Sequence, residues 1–286
     1  MKKDIDMSLN ERQFILEALN NNLRLDGRDF DIWRDLSLIF GNNYGQVEIS
    51  LGKTRIFVCI SAEITEPYPD KPYEGIFTID IELTPIIYSP FESGRSSEET
   101  QIISIIDKAI KKSRMLDKES LCIIYGHYCW SIRADVHYLN HDGNLVDATC
   151  IAVVAALLHF RKPVVTVKGE EIIIHPIEER VPVPLILTHI PICVTFSFFN
   201  KGKILLMDTT LQEERLREEY MIITLNKNKE ICQISKPGGI TIETSHIFKC
   251  LDLALKKTLE ITDYLNKKLE ENEKLNGYDN EIKNNI

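Results

Sequence analysis

His137-Tyr138-Leu139-Asn140-His141-Asp142-Gly143-Asn144-Leu145-Val146-Asp147 runs directly into Ala148-Thr149-Cys150-Ile151-Ala152-Val153-Val154-Ala155-Ala156-Leu157-Leu158, and the join between the two segments decides the fold. Upstream of it, Trp130, Ile132, Ala134, Val136 and Tyr138 alternate with polar residues, the period of a strand buried on one face. Asp142-Gly143 supplies a tight turn, because glycine accepts positive φ. Downstream, the residues are apolar on every side, which suits a helix enclosed by other layers and packed closely through its alanines. A strand feeding a helix N-terminus is where many folds hold anions, since free N–H groups and the positive dipole end converge there. Here the turn carries an acid.

Working outward, residues 8 to 21 predict a short amphipathic helix capped near Ser8 or Asn10, with Phe14, Ile15, Ala18 and Leu19 facing inward. Strands are expected over residues 36–40, 46–51, 55–62 and 77–83, with Pro67 to Pro72 forming a loop because proline cannot donate to a ladder. Ser96-Ser97-Glu98-Glu99 reads as a capping box opening a helix that continues to about Met115. Two further strands lead into the Asp142 turn. The second half repeats this order, with strands over 164–167, 171–174, 192–199, 203–207, 221–226 and 231–235 and a long final helix from about Thr241. Strands grouped with helices at their ends indicate an α+β arrangement. Past Asn266 the chain turns rich in Lys, Glu and Asn, and residues 272 to 286 read as a frayed helix end or disordered tail. Trp33 and Trp130 lie in strand-like contexts away from basic residues and are expected in the core.

Composition narrows the function. A chain of 286 residues, 44% hydrophobic and 27% charged, can bury one large core or two modest ones. Its net charge of −9 argues against coating nucleic acid or an anionic membrane, so any RNA contact must use a local basic patch or a partner. The seven cysteines form no Cys-x-x-Cys pair and read as reduced thiols. No signal peptide or membrane-spanning run is expected.

Glu11 to Leu16, Arg24-Leu25-Asp26-Gly27-Arg28, Leu51-Gly52-Lys53-Thr54-Arg55, Phe91-Glu92-Ser93-Gly94-Arg95, Leu139 to Asn144, His159 to Pro163, Pro191-Ile192-Cys193-Val194 and Glu213-Glu214-Arg215 follow one another along the chain. In that order these segments resemble the RNase PH family, in the branch that builds the ring of the RNA exosome. The resemblance covers about residues 8 to 265. It implies an RNase PH-like fold: a ribosomal protein S5 domain 2-like N-terminal subdomain over 31–163 and a smaller α/β C-terminal subdomain over 164–266. An N-terminal helix and arm (1–30) and a polar tail (267–286) flank them.

Active members of that family cleave RNA with inorganic phosphate, so their site needs donors and cations around an anion. A Ser-Arg pair before the buried helix binds that phosphate, and the resemblance places His141 and Asp142 there. A carboxylate about 4 Å from an anion, at an effective dielectric near 20, is repelled by roughly 4 kcal/mol. Asp142-Gly143-Asn144 also reads as simple turn chemistry with an N-cap. Active members further carry two acids, which fall here on Asp208 and Glu214. Such a pair suits Mg²⁺ or general acid and base work, but it also suits the first turn of a helix capped by Thr210. Lys108, Lys111 and Lys112 recur at helical spacing and, with Arg95 before the helix, form a candidate RNA-binding face; Lys53 and Arg55 are weaker candidates. An ordinary solvated helix face reads equally from the residues alone. His137 and His141 straddle a strand end and do not share a face for metal, and Lys236-Pro237-Gly238-Gly239 lacks the spacing of a nucleotide loop.

The resemblance therefore implies a non-catalytic ring subunit without cofactor or metal. It would pair with another RNase PH-like exosome subunit as a heterodimer within a hexameric ring, under S1/KH cap subunits. The ring would thread single-stranded RNA towards associated exosome nucleases for 3′ to 5′ processing and decay, in the nucleus, nucleolus and cytoplasm and not at a membrane. The alternative is an active phosphate-dependent exoribonuclease, which needs cations where His141 and Asp142 stand. A ribosome-associated S5-like protein would predict a basic chain.

Overall fold

The structure is a computed structural model and describes residues 8–83, 97–168, 171–175, 179–239 and 241–284. Helix α1 (Leu9–Asn20) opens on Ser8, whose Oγ accepts from the Glu11 N–H at 3.3 Å while the Glu11 carboxylate accepts from the Ser8 N–H at 3.0 Å. This reciprocal cap fixes the start of a helix that is otherwise short for independent stability. Ile15 and Leu19, four apart, bury against Phe199, Leu206 and Leu216 of the second half. Phe14 was expected beside them but is 64% exposed, since it lies about a quarter turn off that narrow stripe.

The first half is a sheet of β1 (Leu36–Phe40), β2 (Gln46–Leu51), β3 (Thr54–Thr65), β4 (Ile76–Leu83), β5 (Cys122–Ile124) and β6 (Tyr128–Asn140). Its order is β1-β2-β3-β6-β4, antiparallel except for β4 along β6, with β5 paired to β6 in a hairpin. Helix α2 (Ser97–Asp107) joins β4 to β5 and runs on as one π-helical segment, Lys108–Lys112. The proposed capping residue Ser96 lies outside the described residues, as does Arg95. Helix α3 (Leu145–His159) follows the Asp142 turn.

Short strands β7 (Arg161–Lys162), β8 (Val165–Lys168), β9 (Glu171–Ile174) and β10 (Val183–Pro184) form two small ribbons between the halves, β7 with β10 and β8 with β9. The second sheet comprises β11 (Ile192–Phe199), β12 (Ile204–Met207), β13 (Glu219–Leu225) and β14 (Ile231–Ser235), in the order β12-β11-β13-β14. Helix α4 (Leu211–Leu216) connects β12 to β13, and α5 (Thr244–Asn284) closes the chain.

Helix α3 lies against β2 and β3 on one side and β11 on the other. That placement explains its sequence: every residue from Ala148 to Leu157 is fully buried, because no side of this helix meets water. The α+β reading of the sequence holds, and the expected strands appear with ends that coincide or shift by up to three residues. Trp130 is buried in β6, whereas Trp33 is buried in the extended arm before β1 and carries Lys257 over its ring at 5.4 Å. The final helix starts at Thr244 instead of Thr241 and continues through residues 272–284, where a frayed end or disorder was read. Arg161 pairs with Glu273 at 2.7 Å, and Asn272 meets the His159 ring at 3.2 Å, so two contacts hold this stretch to the first half. Lys236 closes its turn on the Gly238 carbonyl at 2.7 Å, as strand-to-helix turn chemistry requires. None of the described helices is long and apolar enough to cross a membrane.

Candidate functional site

The end of β12, the start of α4 and the turn before α3 meet at one point. Gly143 makes this meeting feasible: at φ +86°, an added Cβ would lie 2.5 Å from the Thr209 carbonyl oxygen and 2.6 Å from the Leu211 nitrogen. Asn144, the N-cap of α3, is itself left-handed (φ +55°) and does not cap the helix with its side chain. The expected Asx cap is absent because its amide points elsewhere, donating to Asp208 Oδ1 at 2.8 Å.

Asp208 stands at the centre and its side chain is fully buried. Oδ2 accepts from the Arg34 N–H (2.7 Å), Arg34 Nε (3.0 Å) and Arg28 Nη1 (2.9 Å). Oδ1 accepts from Arg34 Nη2 (2.8 Å) as well as from Asn144. Burial alone would raise this carboxyl, but the Arg34 hydrogen bonds and charge hold it below the usual carboxylate range. Arg34 continues across the turn, donating to the carbonyls of Asp142 (2.7 Å) and Gly143 (3.2 Å). Its guanidinium lies 3.6 Å from the Asp142 carboxylate. Thr54 Oγ1 ties the same turn to β3, accepting from the Asp142 N–H (3.1 Å) and donating to the Gly143 carbonyl (2.8 Å).

Two N–H groups of the turn leading into α3 are engaged by the chain's own side chains. Glu214 Oε1 accepts from the Asn144 N–H at 3.0 Å, and His141 Nδ1 accepts from the Gly143 N–H at 3.2 Å. Burial pushes the Glu214 carboxyl up, against the lowering pull of Arg217, the Asn144 N–H and Arg34. Its neighbour Glu213 is held at both oxygens by Arg24, at 3.0 and 2.7 Å, and accepts from the Thr210 N–H at the start of α4 at 2.9 Å. One turn into α3, the fully buried Asp147 accepts from the Thr195 N–H (2.8 Å) and hydroxyl (2.6 Å) of β11; burial pushes it up to about 7.

The structure thus brings the turn of His141 and Asp142 next to Asp208 and Glu214. It adds Arg28, Arg34 and Thr54, to which the sequence assigns no role, and turns the Asn144 side chain from the expected cap to Asp208. The segment Arg24 to Arg28 was visible as a motif but without a function, and nothing local marks Arg34. The basic candidates lie apart. Lys108 and Lys112 are exposed, and neither has a partner among the described residues. Lys111 is turned aside, pairing with Asp107 at 2.9 Å and resting over Phe77 at 5.8 Å. The single α-helical face predicted for these three is therefore narrowed to Lys108 and Lys112: π-helical winding at Lys108–Lys112 swings Lys111 away from the other two. Arg55 is engaged by Glu48, with Nε–Oε1 at 2.9 Å, while Lys53 is exposed and accepts through its carbonyl from Asn140 at 2.8 Å. His137 faces Glu82 at 3.3 Å, and no group of three or more metal-ligating side chains gathers among the described residues.

Two family models match the chain: 3′ exoribonuclease family, domain 1, over residues 33–163, and domain 2 of the same family over residues 189–257. Exosome complex component rrp45 of Schizosaccharomyces pombe is 53% identical over 272 residues, covering 95% of this chain and 94% of its own. Exosome complex component RRP45 of Saccharomyces cerevisiae is 47% identical over 293 residues, covering 97% and 96%. Among solved structures, a chain of the Archaeoglobus fulgidus exosome with RNA bound to the active site superposes with a TM-score of 0.77 at 26% identity, over 88% of this chain and 96% of that one.

Proposed function

The chain belongs to the 3′ exoribonuclease family of RNase PH proteins, and from that premise we propose that it is a non-catalytic subunit of an exosome-type ring. The ring role rests on the relatives named exosome complex components and on the likeness to an archaeal exosome chain. One observation carries the non-catalytic part: the Asn144 N–H at the head of α3 is taken by the chain's own Glu214 carboxylate. Inorganic phosphate entering there would meet a resident negative charge with Asp142 alongside, and repulsion of several kcal/mol follows at contact distance. Asp208 is equally committed. With both oxygens bonded to arginines and an amide, it has no lone pair directed at a metal or a reacting proton.

In this reading the remaining cations serve RNA passage. Exposed Lys108 and Lys112 are the best-placed phosphate contacts, with Lys53 as a lesser one. Arg55 and Lys111 are spent on Glu48 and Asp107. The ring would be completed by other RNase PH-like subunits, with cap subunits and nucleases attached, in the nucleus and cytoplasm. The test is release of nucleoside diphosphate from 3′-labelled single-stranded RNA with Mg²⁺ and phosphate, for the purified chain and for the chain mixed with RNase PH-like partners. Absence of release by the chain alone, together with its incorporation into a hexameric species, supports the proposal. Phosphate-dependent release that Asp208→Asn abolishes would overturn it.

A further inference from the structure

Cys122 and Cys129 stand directly opposite one another across the β5–β6 hairpin. Both thiols are free. Facing residues of an antiparallel pair hold their Cβ atoms about 4.5–5.5 Å apart, and a disulfide wants about 3.5–4.5 Å. The ladder is irregular between Cys122 and Ile124, so β5 can supply the remaining movement at a bulge without dragging the rest of the sheet. Their surroundings differ in a useful way: Cys122 is half-buried, whereas Cys129 is fully buried between β5 and Thr65 of β3.

We propose that this pair is a redox modification site, a dithiol that a low-molecular-weight disulfide converts to an intrachain bridge, with Cys122 attacking and Cys129 resolving. The Cys122 thiolate attacks one sulfur of the oxidant, breaking its S–S bond and releasing the first thiolate. Cys129 then loses its proton to solvent and attacks the Cys122 sulfur, expelling the second thiolate. Two cysteine thiols are oxidised, one external disulfide is reduced by the same two electrons, and two small thiols leave. Burial pushes the Cys129 thiol up, which suits a group reached only from inside, after Cys122 has been activated. The core thiols do not compete: Cys150 and Cys193 are fully buried and engage the Pro191 carbonyl (3.6 Å) and the Thr224 hydroxyl (3.2 Å). Closure would pin the hairpin whose tip, Gly126, donates to the Pro72 carbonyl at 3.1 Å and which displays Tyr125, 70% exposed.

The test is to incubate the full chain with glutathione disulfide and map its cysteines by mass spectrometry without reduction. The expected product is a Cys122–Cys129 bridge with no glutathione retained on either of these two residues. In Cys129→Ser the mixed disulfide should persist on Cys122, and in Cys122→Ser residue 129 should stay reduced. A wild-type chain that retains glutathione at Cys122, or remains wholly reduced while Cys122 reacts with an alkylating reagent, overturns the proposal. So does modification of Cys129 in the Cys122→Ser chain.

Discussion

Replacing Asp208 by asparagine separates a structural pin from a catalytic acid. If the carboxylate served chemistry, the exchange would cost activity and leave stability nearly unchanged. In the structure it accepts five hydrogen bonds, from Arg28 Nη1, from Arg34 N, Nε and Nη2, and from Asn144 Nδ2. An asparagine keeps one acceptor oxygen, turns an NH₂ towards donors, and leaves the Arg34 and Arg28 side chains, 8% and 15% exposed, with only the more exposed carboxylates of Asp142 (3.6 Å) and Asp26 (2.6 Å). Summing each charged hydrogen bond at about 1.5–3 kcal/mol overshoots, because the arginines keep their bonds to backbone carbonyls. Removing one partner of a buried pair costs about 3–5 kcal/mol, which is the better guide. For a chain of this size that lowers the unfolding midpoint by about 6–15 °C. Acid dependence gives a second readout. The Asp208 carboxyl is depressed, so its contribution is full above about pH 3.9, the unfolded value, and is lost as pH falls through the lower folded value. Asp208→Asn should lack that acid loss. Thermal unfolding by circular dichroism at pH 7 and over pH 2–5 measures both effects. A midpoint within about 1 °C of wild type would refute the reasoning, since a carboxylate removable at no cost is not committed to the arginines.

Three further outcomes follow from neighbouring groups. Asp147 is pushed up to about 7 by burial, so between about pH 4 and 7 the folded chain holds a proton that the unfolded chain has released. Its contribution to stability should then fall by about 1.4 kcal/mol per pH unit across that window and level off above it, and Asp147→Asn should flatten the slope in denaturant titrations. Gly143→Ala forces a side chain at φ +86° into the Thr209 backbone and should cost at least about 3 kcal/mol, whereas Gly27→Ala, at φ +74° with nothing within 4 Å, should cost about 1; calorimetry on the two variants gives the comparison. Lys108→Glu with Lys112→Glu should leave the unfolding midpoint unchanged and weaken binding of single-stranded RNA by the assembled ring. It should also flatten the plot of log affinity against log salt by about 0.7 for each lost contact.

The pieces legible in the sequence were those governed by local periodicity. The two-residue alternation of Trp130 to Tyr138 and the unbroken apolar run after Ala148 gave β6 and α3, because both patterns report burial directly. The acids at 208 and 214 were legible through a resemblance in spacing. Their occupancy was not. Arg34 reaches Asp208 across 174 positions of sequence, and Asn144 reaches it across 64, so no window could show that the acid was already bonded. The place of Lys111 was hidden for a different reason: three lysines at α-helical spacing give no warning of a π-helical turn, which the packing of Ala109 and Ile110 into the core accompanies. The tail's composition favours solvent, so the sequence could not show that the final helix runs on through it or that Asn272 and Glu273 meet His159 and Arg161.

The arginines bear on the scaffold reading in a way the acids alone do not. Arg24 and Arg28 belong to the arm after α1, and Arg34 precedes β1, yet all three converge on residues 207–213 of the second half. Arg34 also holds the carbonyls of the α3 turn in the first half. One cluster therefore joins the arm and both sheets at the place where an active site would need open donors and a free acid. Open donors at that junction would leave buried charge unpaired, at a cost of several kcal/mol. Filling them from within stabilises the joint. Rigidity at the junction suits a subunit that holds neighbours in register, and under the non-catalytic role proposed above, the way the two halves are fastened would also account for an absence of phosphorolysis.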